Sequence, residues 1–152
     1  MLKLTQLIGF GSGGGGGIDV TPSPINFVDI SDAGVVASAS TNAQAISGID
    51  ASITLRLTLT VGMTSQRVVD VYRDGLFVVQ GSSGTTVDVT ITNGQTLFYN
   101  FTNSLDNTTW AGTATVTNVS DGNAVLDTFA YTLVDTGSGG VGVGGVGVGD
   151  VP

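Results

Sequence analysis

Residues 53–61 alternate without a break. Ile53, Leu55, Leu57, Leu59 and Val61 fall on one side, and Thr54, Arg56, Thr58 and Thr60 fall on the other. A period of two puts successive side chains on opposite faces, so this segment is a strand with one apolar and one wet face. The same signal recurs along the chain, separated by turn residues. Residues 68–73 and 76–80 flank Asp74-Gly75, a strong hairpin signal. Val87, Val89 and Ile91 alternate with Asp88 and Thr90, and Asn93-Gly94 then turns the chain into 96–101. Residues 110–118 carry Thr113, Thr115 and Thr117 on one face; Asp121-Gly122-Asn123 leads into 125–134, where Phe129, Tyr131 and Leu133 share a face. Shorter strands are expected at 25–30 and 35–39, while 41–49 fits either a strand or a loop. About eight strands at this spacing predict an all-β fold, an Ig-like antiparallel β-sandwich of about seven to nine strands.

Composition agrees. The twelve acidic residues are all Asp, and the four basic ones are Lys3, Arg56, Arg67 and Arg73, for a net charge of −8. Glu is absent and Lys nearly so, whereas Thr and Val are abundant, a bias against helical surfaces and towards strands. Four scattered cations supply no basic stripe for phosphates, so no nucleic-acid partner is expected. No stretch approaches the length of a membrane span, and no membrane partner is expected. Without Cys there is no disulfide scaffold and no thiolate metal site.

Three segments follow: an N-terminal arm over 1–24, the sandwich over 25–135, and a C-terminal Gly/Val-rich arm over 136–152. The first arm opens on Leu2, Leu4, Leu7, Ile8 and Phe10, then runs through Gly13–Gly17 to Pro22 and Pro24. Thr5 and Gln6 interrupt its apolar run, and polyglycine follows where a signal-peptide cleavage site would stand. The second arm carries Val141, Val143, Val146 and Val148 between glycines. Glycine-rich chain free in solution is expected to be flexible coil, for it has too little side chain to offset the entropy of ordering. An apolar decapeptide on a glycine tether is a liability unless docked. It suits addition to a neighbour's sheet edge or the filling of a groove, the alternative being packing on its own domain. These nine apolar arm residues are the expected partner-binding set.

Catalytic chemistry is poorly supplied. His, Cys and Glu are all missing, which removes Ser-His and Cys-His pairs and imidazole metal sites. Paired Asp could serve a glycosidase-like reaction, but Asp88 lies on a wet face and Asp70 and Asp74 flank a turn. Gly9 to Gly14 matches G-x-G-x-x-G, yet more glycine and then prolines follow where a helix should begin. Asp121, Asn123 and Asp127 form a loose oxygen cluster without the closing bidentate Glu of a calcium loop. Three glycosylation sequons begin at Asn100, Asn107 and Asn118, as Thr-rich sequence produces by chance. Trp110, Phe98, Tyr99, Phe101 and Phe77 would suit either a sugar platform or, as aromatics of a sandwich more often do, the core. The expectation is no enzyme, no cofactor and no metal.

The segments beginning Thr85-Thr-Val-Asp-Val-Thr-Ile-Thr-Asn-Gly-Gln-Thr-Leu, Gly112-Thr-Ala-Thr-Val-Thr-Asn-Val-Ser and Asp127-Thr-Phe-Ala-Tyr-Thr-Leu resemble the Ig-like modules of tailed-phage virion proteins. Those modules carry a V-x-V-x-N-G-D-x-L strand and turn, a G-T-x-T-V strand and a closing D-T-F-x-V strand; Gln95 stands here in place of the Asp. The opening Met1 to Gly11 is similar to the starts of small phage structural proteins. The resemblance implies a binding or decorating role on a virion made in the host cytoplasm, as a capsid decoration or head-fibre protein or as a tail, baseplate or fibre component. It implies as partners other virion proteins, the major capsid protein or tail proteins, with homo-oligomers in the assembly, and no catalytic residues. A carbohydrate-binding adhesive module is the reading outside the virion.

Overall fold

The alternation at 53–61 becomes β4 (Ile53–Met63), next to the end of one of two packed sheets. This computed structural model describes residues 17–137. All nine arm residues named above (Leu2, Leu4, Leu7, Ile8, Phe10, Val141, Val143, Val146 and Val148) lie outside the described residues. The other strands are β1 (Ile30–Gly34), β2 (Ala37–Ser40), β3 (Gln44–Ala45), β5 (Arg67–Arg73), β6 (Leu76–Gly81), β7 (Gly84–Ile91), β8 (Thr96–Asn103), β9 (Thr108–Asn118) and β10 (Ala124–Asp135). One sheet has the order β1-β10-β9-β4-β7 and the other β2-β8-β5-β6, with β3 also on β8. The fold is an all-β, Ig-like sandwich of two largely antiparallel sheets. The described residues form ten strands rather than seven to nine, and β1 pairs with β10 in parallel.

The middle of the chain follows immunoglobulin connectivity. β4 and β7 pair as B and E do, and β5 and β8 pair within the facing sheet as C and F do, with β6 beyond β5. The flanks differ: β9 takes the place beside β4, and β2, from the start of the chain, takes the place beside β8. The short early strands also differ from expectation. Ladder pairing covers 30–34 and 37–40 rather than 25–30 and 35–39, and 41–49 is loop except for β3. Ile25 and Phe27 are buried in an extended segment outside any ladder, which is why alternation alone pointed to a strand there.

The turns form as their residues dictate. Asp74 and Gly75 both have positive φ, at 55° and 77°, the type I′ requirement of a two-residue hairpin. At 92–95 only Gly94 is positive, at 89°, and Gln95 N donates to Thr92 O, so that turn carries the chain from β7 in one sheet to β8 in the other.

The core is the shared interior of the two sheets. Ile53, Leu55, Leu57 and Leu59 of β4 meet Val69 and Val71 of β5 and Tyr99 and Phe101 of β8, all buried. A connected set of rings joins the layers: Phe101 lies 5.5 Å from Trp110, 5.1 Å from Tyr131 and 6.1 Å from Phe129, and Phe27 touches both Phe129 and Tyr99.

Val61 departs from the expected apolar face. It is 41% exposed, because β4 leaves its ladders after Leu59 and resumes only at Met63 opposite Gly84. The freed carbonyl of Val61 accepts from Trp110 Nε1 at 2.9 Å and from the Tyr131 hydroxyl at 2.9 Å, and the Tyr131 oxygen accepts from Val61 N at 3.2 Å. Gly112 makes room for this clamp: a Cβ there would sit 2.7 Å from the Tyr131 hydroxyl and would strike Thr60 Oγ1. Tyr131→Phe is therefore expected to cost about 1 kcal/mol, by removing the hydroxyl that both donates to Val61 O and accepts from the part-buried Val61 amide. Gly112→Ala should cost about 1–3 kcal/mol by overpacking the same point. Urea denaturation of both variants checks this; wild-type midpoints would remove the clamp from the account.

Candidate functional site

β4, β8, β9 and β10 run the length of the sandwich, and β4 alone spans about 36 Å at ~3.3 Å per residue. One pole holds the start of β4, the turns at Asp74-Gly75 and 92–95, and the short 3-10 turn Val119–Asp121. The opposite pole holds the end of β10 and the loop between β8 and β9.

The described chain enters at the first pole. Asp19 N donates to Asp50 Oδ2 at 3.0 Å, Asp50 N returns a bond to Asp19 O at 2.7 Å, and Asn118 Nδ2 donates to Val20 O at 2.7 Å. Ser23 N bonds Ser47 O, and Pro22 is buried, so packing begins upstream of the expected boundary at Ile25. Beyond it, side chains rather than a strand partner satisfy the backbone. Phe27 N donates to Asp127 Oδ2 at 2.6 Å, Val28 N to Asn42 Oδ1 at 2.9 Å, and Ala130 N to Asp29 Oδ1 at 2.7 Å.

The chain leaves at the other pole. Thr136 N bonds Gly34 O, and Gly137 N donates to the buried Asp135 Oδ1 at 2.7 Å. Asn103 closes the interior beside it, donating from Nδ2 to Leu133 O at 3.0 Å and Thr108 O at 3.1 Å. The described residues thus begin and end at opposite poles of the sandwich. Thr41, Asn103 and Asp135 are buried polar residues that sequence patterning did not single out, and Asn118, noted only as the start of a sequon, is buried too. They fall among Thr- and Asn-rich stretches where nothing distinguishes an inward polar side chain from an outward one.

The Asp residues considered for chemistry are dispersed, and most are already engaged. Asp127 caps Phe27, and Asp121 accepts from Thr21 Oγ1 at 3.3 Å, while Asn123, at φ 62°, shapes the turn into β10. Two of the three therefore hold the N-terminal segment, and the third sets a turn. Asp70 accepts from Gln80, and Asp74 from Thr96 N. Among the described residues no group of three acidic side chains converges as metal ligands would. The aromatic candidates divide: Trp110, Tyr99 and Phe101 are fully buried, whereas Phe98 stacks on Tyr72 at 4.7 Å on the outer face, with Phe77 edge-on to Tyr72 at 6.1 Å. The Tyr99 hydroxyl is buried without a partner among the described residues, and burial pushes its pKa up.

Beside that stack, Arg73, Asp74, Leu76, Phe77, Val78 and Gln95 line an open depression of about 470 Å³. Leu76, Phe77 and Val78 are consecutive, exposed and apolar, on a strand whose outer edge has no partner among the described residues.

No protein-family model and no curated protein matches the chain. Among solved structures it is similar to the N-terminal domain of PorA, at 12% identity over 76% of this chain and 90% of that one, with a TM-score of 0.42. A likeness at that score carries no argument.

The ion pair between β4 and β7 is bidentate. Arg56 Nε and Nη2 donate to Asp88 Oδ1 and Oδ2 at 2.8 and 2.9 Å, and these bonds hold the Asp88 carboxyl below its ordinary pKa. A depressed folded-state pKa contributes stability that is present above the unfolded value of about 4 and is lost as pH falls through the lower folded one. Both side chains are partly solvated, so the contribution is small. Asp88→Asn is expected to lose less stability than wild type between about pH 7 and about pH 3 in denaturant titrations. An equal or greater acid loss in the variant would refute the pairing.

Proposed function

We propose that this chain is a non-enzymatic structural protein of a tailed-phage virion, a capsid decoration or head-fibre subunit held by its two terminal arms. The supporting observation is the placement of the described ends at opposite poles, with each exit pinned by buried Asn or Asp side chains. Such a body transmits load from one arm to the other through a continuous core, and its wet faces of Thr and paired Asp-Arg demand no ligand. The arms supply the contacts: an apolar head on a glycine tether at one end and a Val-Gly run at the other. The net charge of −8 keeps unassembled copies apart in solution.

The same polar arrangement favours a second virion reading, a tail, baseplate or fibre component, since exits at opposite ends suit copies joined in line. Burial of Trp110 weighs against the adhesive, sugar-binding reading, because the largest aromatic is inaccessible to a glycan.

The test is reattachment to particles of the encoding phage that lack this protein. Full-length chain is expected to co-sediment with them, and chains lacking 1–16 or 138–152 to bind at least about tenfold more weakly, as loss of one of two linked contacts implies. Tyr72→Ala, on the outer face, should bind as wild type does. Undiminished binding by a chain lacking both arms would overturn the proposal.

A further inference from the structure

We infer that the outer edge of β6 is the seat of the chain's own apolar head, residues 2–10, which adds to it as an antiparallel strand. A sheet edge is a row of unpaired amides and carbonyls that natural folds blunt with charge, shortness or cover. Among the described residues, three of the four edges are blunted. β7 carries Asp88 bound to Arg56, while β1 and β2 are short and pack together through the connection between them. β6 (Leu76–Gly81) has no charged residue, and Leu76, Phe77 and Val78 are 71%, 57% and 37% exposed. Only a bulge opposite Val71 and Tyr72 tempers it.

Four observations point to the head as occupant. The first is its pattern: Leu2, Leu4, Ile8 and Phe10 fall on even positions with Gln6 among them, and Lys3, Thr5 and Gly9 fall on odd ones, where Leu7 is the apolar exception. That period of two gives a strand one apolar face, which can cover the overhanging Leu76 and Val78. The second is place. Asp19 is bonded to Asp50, Ile49 to Asn93, and Gln95 lines the depression with Leu76 and Phe77, so the chain enters at the pole where β6 begins.

The third is reach and direction. Residues 11–17 extend to about 23 Å, and a head arriving from that pole runs back against the direction of β6, as an antiparallel addition requires. A tether this short gives an effective concentration of order millimolar, so docking within one chain prevails in dilute solution. The fourth is charge. Eleven of the twelve Asp and three Arg lie within residues 17–137, whereas residues 1–16 carry Lys3 alone. The head is thus the one net-cationic part of an acidic chain.

The inference concerns the free chain and stands whether or not the virion reading does. If both hold, exchange of the head between neighbouring copies makes the same contacts in trans and joins subunits.

Hydrogen exchange of the full-length chain at low micromolar concentration tests it. Deleting residues 1–10 is expected to speed exchange at the β6 amides that do not bond β5 by about tenfold or more. The double variant carrying Leu4→Asp and Ile8→Asp should behave as the deletion does. A synthetic peptide of residues 1–10, added at millimolar concentration, should restore protection to the deleted chain. β6 exchange that is unchanged by the deletion, or by the double variant, would overturn the inference, as would a peptide without effect. A chain with unprotected β6 that still needs its arms to bind particles would leave the virion reading intact and this one lost.

Discussion

One carbonyl ties the end of β4 to the core that the two sheets share. Val61 O takes hydrogen bonds from Trp110 and Tyr131 at the point where β4 leaves one sheet and heads for β5 in the other. A strand that departs from its ladder in the interior leaves polar backbone to be satisfied, and two aromatic side chains with polar tips do so without bringing in charge. The same rings pack on Phe101 of the opposite sheet, so the clamp and the core are one structure. Close approaches lie beside it. Gly62 lies against Gly84 O, and Gly81 against the Met63 sulfur, where a Cβ would come within 2.6 Å and 2.5 Å of those atoms.

From that frame comes the separation of the ends. β10 runs from the pole where the described chain enters to the pole where it leaves, and β1 runs beside it in the same direction. The acidic residues then take on a role that composition hides. Asp50, Asp121, Asp127 and Asp135 bind backbone or hydroxyl donors of the two exit segments, turning an excess of negative charge into anchoring points. Function, on this account, lies in what those anchored ends reach.

Much of this was legible in the sequence, for reasons that particular residues make plain. Alternation located β4, β7 and β10 because one face of each is buried, and Asp74-Gly75 located a hairpin because both positions need positive φ. Alternation misled at Val61, where β4 is out of its ladders between Leu59 and Met63, and at Ile25 and Phe27, whose burial comes without ladder pairing. The parallel β1–β10 pair and the seats of β2 and β9 depend on contacts between distant segments, which no local pattern encodes. For the site, the nine apolar arm residues singled out from the sequence lie outside the described residues, and no local pattern showed that the described ends leave at opposite poles. Nor did the sequence mark the uncharged edge of β6, whose apolar residues looked like ordinary strand core.

The central claim is that the sandwich is a rigid spacer and that its terminal arms make the contacts. Cryo-electron microscopy of the assembled particle tests this most directly. The account predicts density for residues 1–16 and 138–152 lying against neighbouring chains, with the sandwich faces largely free. A sandwich face buried flat against its partner, with both arms touching nothing, would contradict it.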